Sequence, residues 1–183
     1  PPAVAVTESW DGTSWTEVGD LNDARTQGSQ SRIGTQTDTY YAGGETPATT
    51  DNTEYWDGPS WTEGTEVNTT RKTFSGGGLV SSASIVSGGS TPGGNTANSE
   101  IYNGTSWTEV NNLNTAGQGH GAGGTSTSGF VAGGSRPSAT AKTEAWDGTS
   151  WTEVNDMASG RAGSIGTGTG IAGIMIGGDP ATA

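Results

Sequence analysis

Apolar residues in this chain come in short clusters that return on a fixed beat. Residues 8–18 read ESWDGTSWTEV, and the same wording recurs at 54–63 (EYWDGPSWTE), 100–110 (EIYNGTSWTEV) and 144–154 (EAWDGTSWTEV). The second aromatic of each copy is Trp15, Trp61, Trp107 and Trp151, at steps of 46, 46 and 44 residues. A second marker keeps the same period: the diglycines Gly43-Gly44, Gly88-Gly89, Gly133-Gly134 and Gly177-Gly178. Within a copy, apolar and polar positions alternate with the period of 2 that belongs to strands, and no stretch shows the 3.6 period of a helix.

The alternation predicts a hairpin in every copy. In the first, strands over 7–10 and 15–18 flank the four-residue turn Asp11 to Ser14, where Asp can bond the local backbone and Gly tolerates positive φ. Trp10 then faces Trp15 across the neck, as do Trp56 and Trp61, Tyr102 and Trp107, and Trp146 and Trp151. Such an aromatic pair contributes about 0.5–1.5 kcal/mol beyond its area burial. Ahead of each later hairpin lies a Gly/Ser/Thr-rich strand and then a short apolar strand ending at the diglycine, as in TYYAGG (39–44) and GFVAGG (129–134). Four strands in about 45 residues match a blade of a β-propeller.

A diglycine closing one strand, Glu-x-aromatic-Asp on the next and Trp opening the fourth resembles the kelch repeat. In wording the units are similar to Trp-rich kelch-like repeats of bacteriophage and environmental bacterial proteins, with a turn shorter than the usual kelch unit. The resemblance spans the whole chain and implies one all-β, kelch-like propeller domain over residues 1–183, four repeats long. Its implied bias is towards interaction rather than catalysis, on a virion or outside the cell. The eight hairpin aromatics and the four diglycines are the expected structural core. Because the chain opens with the last two strands of a unit and ends with the first two of another, the ends are expected to share one blade and close a four-bladed ring. An eight-bladed ring of two chains, and a segment of a longer propeller, are the alternatives.

Composition changes the picture in two ways. Only 28% of residues are hydrophobic and 33 are Gly, a mix that by itself predicts disorder; the regularly placed Trp answer it. The net charge of −12 with no basic cluster argues against nucleic acid and anionic membrane as partners. No apolar run approaches a membrane span of about 18 residues.

Candidate chemistry is sparse. With no Cys and one His, neither a multi-His metal site nor a thiolate nucleophile is expected, and no cofactor is implied; the copper site with its Cys–Tyr crosslink found in kelch-type oxidases does not carry over. Arg25, Arg71 and Arg161 each fall ten residues after a hairpin Trp, with Gly117 in the third copy. Together with His120 they are the candidates for a ligand-binding channel mouth; pairing with acids such as Asp23 or Asp156 is the structural alternative. Glu8, Glu17, Glu54, Glu63, Glu100, Glu109, Glu144 and Glu153 recur in every copy. A glycosidase needs two carboxylates in distinct environments, so equivalent ones are expected to serve the repeat. The segments 45–52, 90–98 and 135–142 differ most between copies and are expected on one rim, where loops on rigid scaffolds bind partners. The expected function is a non-catalytic structural or adhesive module that contacts a protein partner or assembly neighbour, with homo-oligomers among the options. A lectin-like propeller using Tyr40 or Tyr41 is the alternative, and an enzyme ranks last.

Overall fold

The hairpins form as their turn chemistry dictates. Asp147 Oδ1 accepts the backbone N–H groups of Thr149 and Ser150, both at 2.8 Å, and Asp11 does the same for Thr13 and Ser14. Asn103 substitutes for the carboxylate in the third copy. In the second, Pro59 has no N–H to give, and Asp57 accepts only from Ser60 N among the turn's backbone donors. Gly148 sits at φ +95°, a region that glycine enters without penalty. The bonds from Ser150 and Thr149 hold the Asp147 carboxyl below its ordinary pKa of 3.8, and Asp11 behaves likewise through Ser14 and Thr13. A carboxyl lowered on folding supports the turn above its unfolded pKa and loses that support as pH falls through the folded value. In an NMR titration, Asp147 is expected to protonate at lower pH than it does in the urea-unfolded chain; coincident titrations would mean that the turn bonds are absent.

The computed structural model describes residues 2–29, 33–135 and 138–180. Glu8–Trp10 (β1) and Trp15–Glu17 (β2) form a lone hairpin. Thr39–Ala42 (β3), Thr53–Trp56 (β4) and Trp61–Glu63 (β5) form a three-stranded sheet. Ser75–Gly77 (β6), Ser84–Ser87 (β7), Ser99–Tyr102 (β8) and Trp107–Val110 (β9) make a complete four-stranded meander. A second is made by Gln118–Thr125 (β10), Ser128–Ser135 (β11), Thr143–Trp146 (β12) and Trp151–Val154 (β13). Ile165–Thr169 (β14) and Ala172–Ile176 (β15) form a terminal hairpin. All these pairings are antiparallel, and each Trp-bearing hairpin is in one register: Trp10 faces Trp15, Trp56 faces Trp61, Tyr102 faces Trp107 and Trp146 faces Trp151. Ring centroids in these pairs lie 5.1–5.4 Å apart.

The apolar interior lies between successive sheets. Tyr40, Ala42, Phe74, Val86, Tyr102 and Trp107 pack in one cluster where the β3–β5 sheet meets the β6–β9 sheet. Ile85, Leu113, Val131, Trp146 and Trp151 pack in the next, against the β10–β13 sheet. A polar chain is thus served by thin apolar layers, each bounded by two sheets. Where β10 approaches its neighbours the contact is backbone to backbone: a Cβ on Gly77 would lie 3.0 Å from the Gly124 carbonyl oxygen, and one on Gly166 2.5 Å from Ala122 N. Small residues are required there for the inner strands to converge.

Two expectations of the core change at the ends. Trp10 and Trp15 are 44% and 64% exposed, and Gly177 and Gly178 are exposed as well. The physical cause lies in their neighbours: among the described residues β1 pairs with β2 alone, and β15 with β14 alone. Trp61 is half-buried, and the other five hairpin aromatics are buried. No ladder joins β15 to β1 among the described residues; the expected approach of Ala183 to Pro1 lies outside them.

Candidate functional site

The most organised polar assembly is a clasp that recurs at successive sheets. Glu100, on β8, is fully buried. It accepts hydrogen bonds from Asn68 N at 2.6 Å, Asn68 Nδ2 at 2.9 Å and Thr69 N at 3.1 Å, and is ion-paired with Arg71. Arg71 Nη1 also donates to the carbonyls of Gly88 (3.0 Å) and Asn98 (2.7 Å). Glu54, on β4, repeats this with Asn22 N (2.6 Å), Asn22 Nδ2 (2.7 Å) and Arg25 Nη2 (2.9 Å). Glu144, on β12, accepts from Asn114 N (2.7 Å) and Nδ2 (2.9 Å). Each clasp ties the chain entering a sheet to that sheet's Glu-x-aromatic strand. Buried charges persist only when paired and hydrogen-bonded, and here the backbone amides supply the missing solvation. Burial presses the Arg71 pKa below its ordinary value, and Glu100 opposes that shift.

Arg25 and Arg71 therefore turn their heads into the sheets, towards Glu54 and Glu100 rather than Asp23 or Asp156, and neither side chain meets solvent. Arg161 is half-buried, and its Nη1 donates to the Gly177 carbonyl at 3.4 Å. His120 is buried on β10, between two diglycines: a Cβ on Gly134 would lie 2.5 Å from its Cδ2, and one on Gly88 2.9 Å from its Cε1. The four candidates for a channel mouth are thus not gathered around one opening. Asn22, Asn68 and Asn114, which donate to Glu54, Glu100 and Glu144, recur in the sequence at steps of 46 residues but carry no distinguishing chemistry there. Tyr40 is buried within the aromatic cluster, its hydroxyl pKa pushed up by burial. Tyr41 lies outside that cluster, its ring 5.3 Å from Arg25 Cζ and its hydroxyl accepting from Gly28 N at 2.9 Å. Among the described residues, no three of His, Asp and Glu gather as a metal site would require.

The variable segments project beyond the diglycines as short turns. Glu45–Thr46 pairs with Ala48–Thr49, and Ser90–Thr91 with Gly94–Asn95. Each touches the next unit of the chain: Lys72 Nζ pairs with Glu45 at 2.5 Å, and Asn95 Nδ2 donates to the Ser135 carbonyl at 3.0 Å. Residues 136 and 137 of the third segment lie outside the described residues.

The whole arrangement superposes on the structure of YjhT, a kelch-repeat β-propeller protein, with a TM-score of 0.73 over 92% of this chain. The fold is that of a kelch propeller. Identity over the match is 14%, and the chain covers 66% of the YjhT chain, so the likeness extends to the fold alone. No family description matches the sequence, and no curated protein matches it.

Proposed function

We propose that this chain is a non-catalytic binding scaffold, a structural or adhesive module of a virion or cell surface, which contacts a protein partner through its variable rim. What carries this reading is the division of labour between residues. The repeated Glu54, Glu100 and Glu144, with Arg25 and Arg71, are consumed in clasps inside the sheets. Copy-to-copy variation falls instead on the segments 45–52, 90–98 and 135–142, which we place on the rim. Repeat-wide residues stabilise a repeat array, and its variable loops distinguish partners. The test is binding of the labelled chain to a panel of intact bacterial cells, beside a variant with 46–50 and 91–95 replaced by Gly/Ser. The variant is expected to lose binding and keep its melting temperature; undiminished binding would place the contact elsewhere.

A carbohydrate-binding role is the second reading. It is favoured by the exposed Trp10 and Trp15, which line an open groove of about 450 Å³ with Trp56 and Trp61, since indole faces stack on sugars. A glycan array decides between the two: the first reading predicts a blank array, and saturable binding abolished by Trp15→Ala would establish the second.

A further inference from the structure

The hairpin turns share one geometry but not one chemistry. The first, second and fourth copies turn on Asp11, Asp57 and Asp147, each followed by Gly, whereas the third turns on Asn103 followed by Gly104. Asn103 is the one asparagine of the chain that precedes a glycine, and both residues are exposed between β8 and β9. We propose that Asn103 is a self-modifying site: its own turn converts the side-chain amide to a carboxylate, releases ammonia and leaves the Asp-Gly turn of the other copies. What the rim binds has no part in this.

The turn supplies what amide cleavage needs. Asn103 Oδ1 accepts Thr105 N at 2.9 Å and Ser106 N at 3.0 Å, so fixed backbone donors already point at the oxygen on which charge develops. In the fourth copy the equivalent amides, Ser150 N and Thr149 N, hold the Asp147 carboxyl below its ordinary pKa, which shows that this turn favours negative charge on that oxygen. The nucleophile is Gly104 N, the next backbone nitrogen, and the reaction is therefore intramolecular. Gly104 N donates to no protein group among the described residues, which leaves its proton open to solvent. Gly104 holds φ +94° and carries no side chain to obstruct ring closure. The clasp asparagines Asn22, Asn68 and Asn114 differ on both counts: their Nδ2 groups are bonded to buried Glu54, Glu100 and Glu144, and Asp or Thr follows each of them.

Hydroxide removes the Gly104 N–H proton, and the nitrogen adds to Cγ of Asn103. The carbonyl π pair moves to Oδ1, where Thr105 N–H and Ser106 N–H hold the oxyanion. Its collapse breaks the Cγ–Nδ2 bond; Nδ2 takes a proton from water and leaves as ammonia, and a succinimide remains. Water then adds to the ring. The amides aimed at Oδ1 activate Cγ rather than the main-chain carbonyl, so the Cγ–N bond breaks and Gly104 N recovers its proton. One water is consumed, one ammonia is released, and residue 103 becomes an α-linked aspartate. Opening at the main-chain carbonyl would instead route the backbone through the side chain as isoaspartate. The α-linked carboxylate accepts charge-assisted bonds from the same two amides, stronger than those to the amide oxygen.

The folded chain is incubated at mildly alkaline pH beside the urea-unfolded chain, and the peptide containing residue 103 is followed by mass spectrometry with an isoaspartate assay. Conversion is expected at Asn103 and at no other asparagine of the folded chain, faster at higher pH, with α-aspartate in excess; the unfolded chain should give isoaspartate in excess. Thr105→Pro removes one donor, and the second copy carries Pro59 at this position with Gly58 at φ +109°, so the turn accommodates it. This variant should keep its melting curve and convert about tenfold more slowly, a smaller loss than the roughly hundredfold or more found when an enclosed oxyanion hole loses a donor. Slower conversion of the folded chain than of the unfolded one would overturn the proposal. So would isoaspartate in excess from the folded chain, or a rate unchanged by Thr105→Pro.

Discussion

Replacing Glu100 with alanine is expected to lower the unfolding free energy by about 3–5 kcal/mol, the cost of leaving one member of a buried ion pair without the other. The substitution strands Arg71, whose side chain has no exposed surface, and orphans the N–H groups of Asn68 and Thr69. Against a total of about 5–15 kcal/mol for a domain, much of the stability would go. Glu8→Ala is the internal control. It removes the equivalent residue from an exposed position, and its effect should stay within about 0.5 kcal/mol. Urea denaturation of both variants, at matched m-values, checks the pair. Equal effects would mean that the clasp is not the element that holds each sheet to the chain entering it.

The second large effect belongs to the diglycines. Gly88→Ala must hold φ near +66°, which costs about 1–3 kcal/mol for a side chain in that region. It must also accommodate a Cβ 2.7 Å from the Gly117 carbonyl and 2.9 Å from His120 Cε1, where overpacking adds about 1–3 kcal/mol. Gly177→Ala carries the first penalty without the second, because its surroundings are open. Thermal melts of dilute protein should therefore rank Gly88→Ala well below Gly177→Ala. The reverse order would show that the carbonyl contact between neighbouring sheets is not formed.

The period of the chain made the hairpins and their register legible, because Asp-Gly turns and facing aromatics are local chemistry. The site residues were less so. Arg25 and Arg71 share a spacing with Arg161, and spacing alone is compatible with an open ring of cations. What turns the first two inward is Glu54 or Glu100, 29 residues away in each case, a contact fixed only once the Glu-x-aromatic strand of the sheet is placed. The exposure of Trp10 and Trp15 was hidden for the same reason. Their sequence is that of the buried copies, and the difference lies in which strands stand beside them. Composition predicted disorder, and the structure answers it with backbone: 18 of the glycines described hold positive φ, as the turns and strand ends of the repeat require.

Indole N–H exchange, read by NMR at low concentration, tests most directly whether the repeated tryptophans form an interior between sheets. Five indole N–H groups are bonded: Trp56 to Gln36 O, Trp61 to Thr7 Oγ1, Trp107 to Thr65 O, Trp146 to Ser126 O and Trp151 to Ser99 Oγ. Those five should exchange slowly, and Trp10 and Trp15 should exchange at the rate of free indole. Seven indoles exchanging alike and fast would contradict the account.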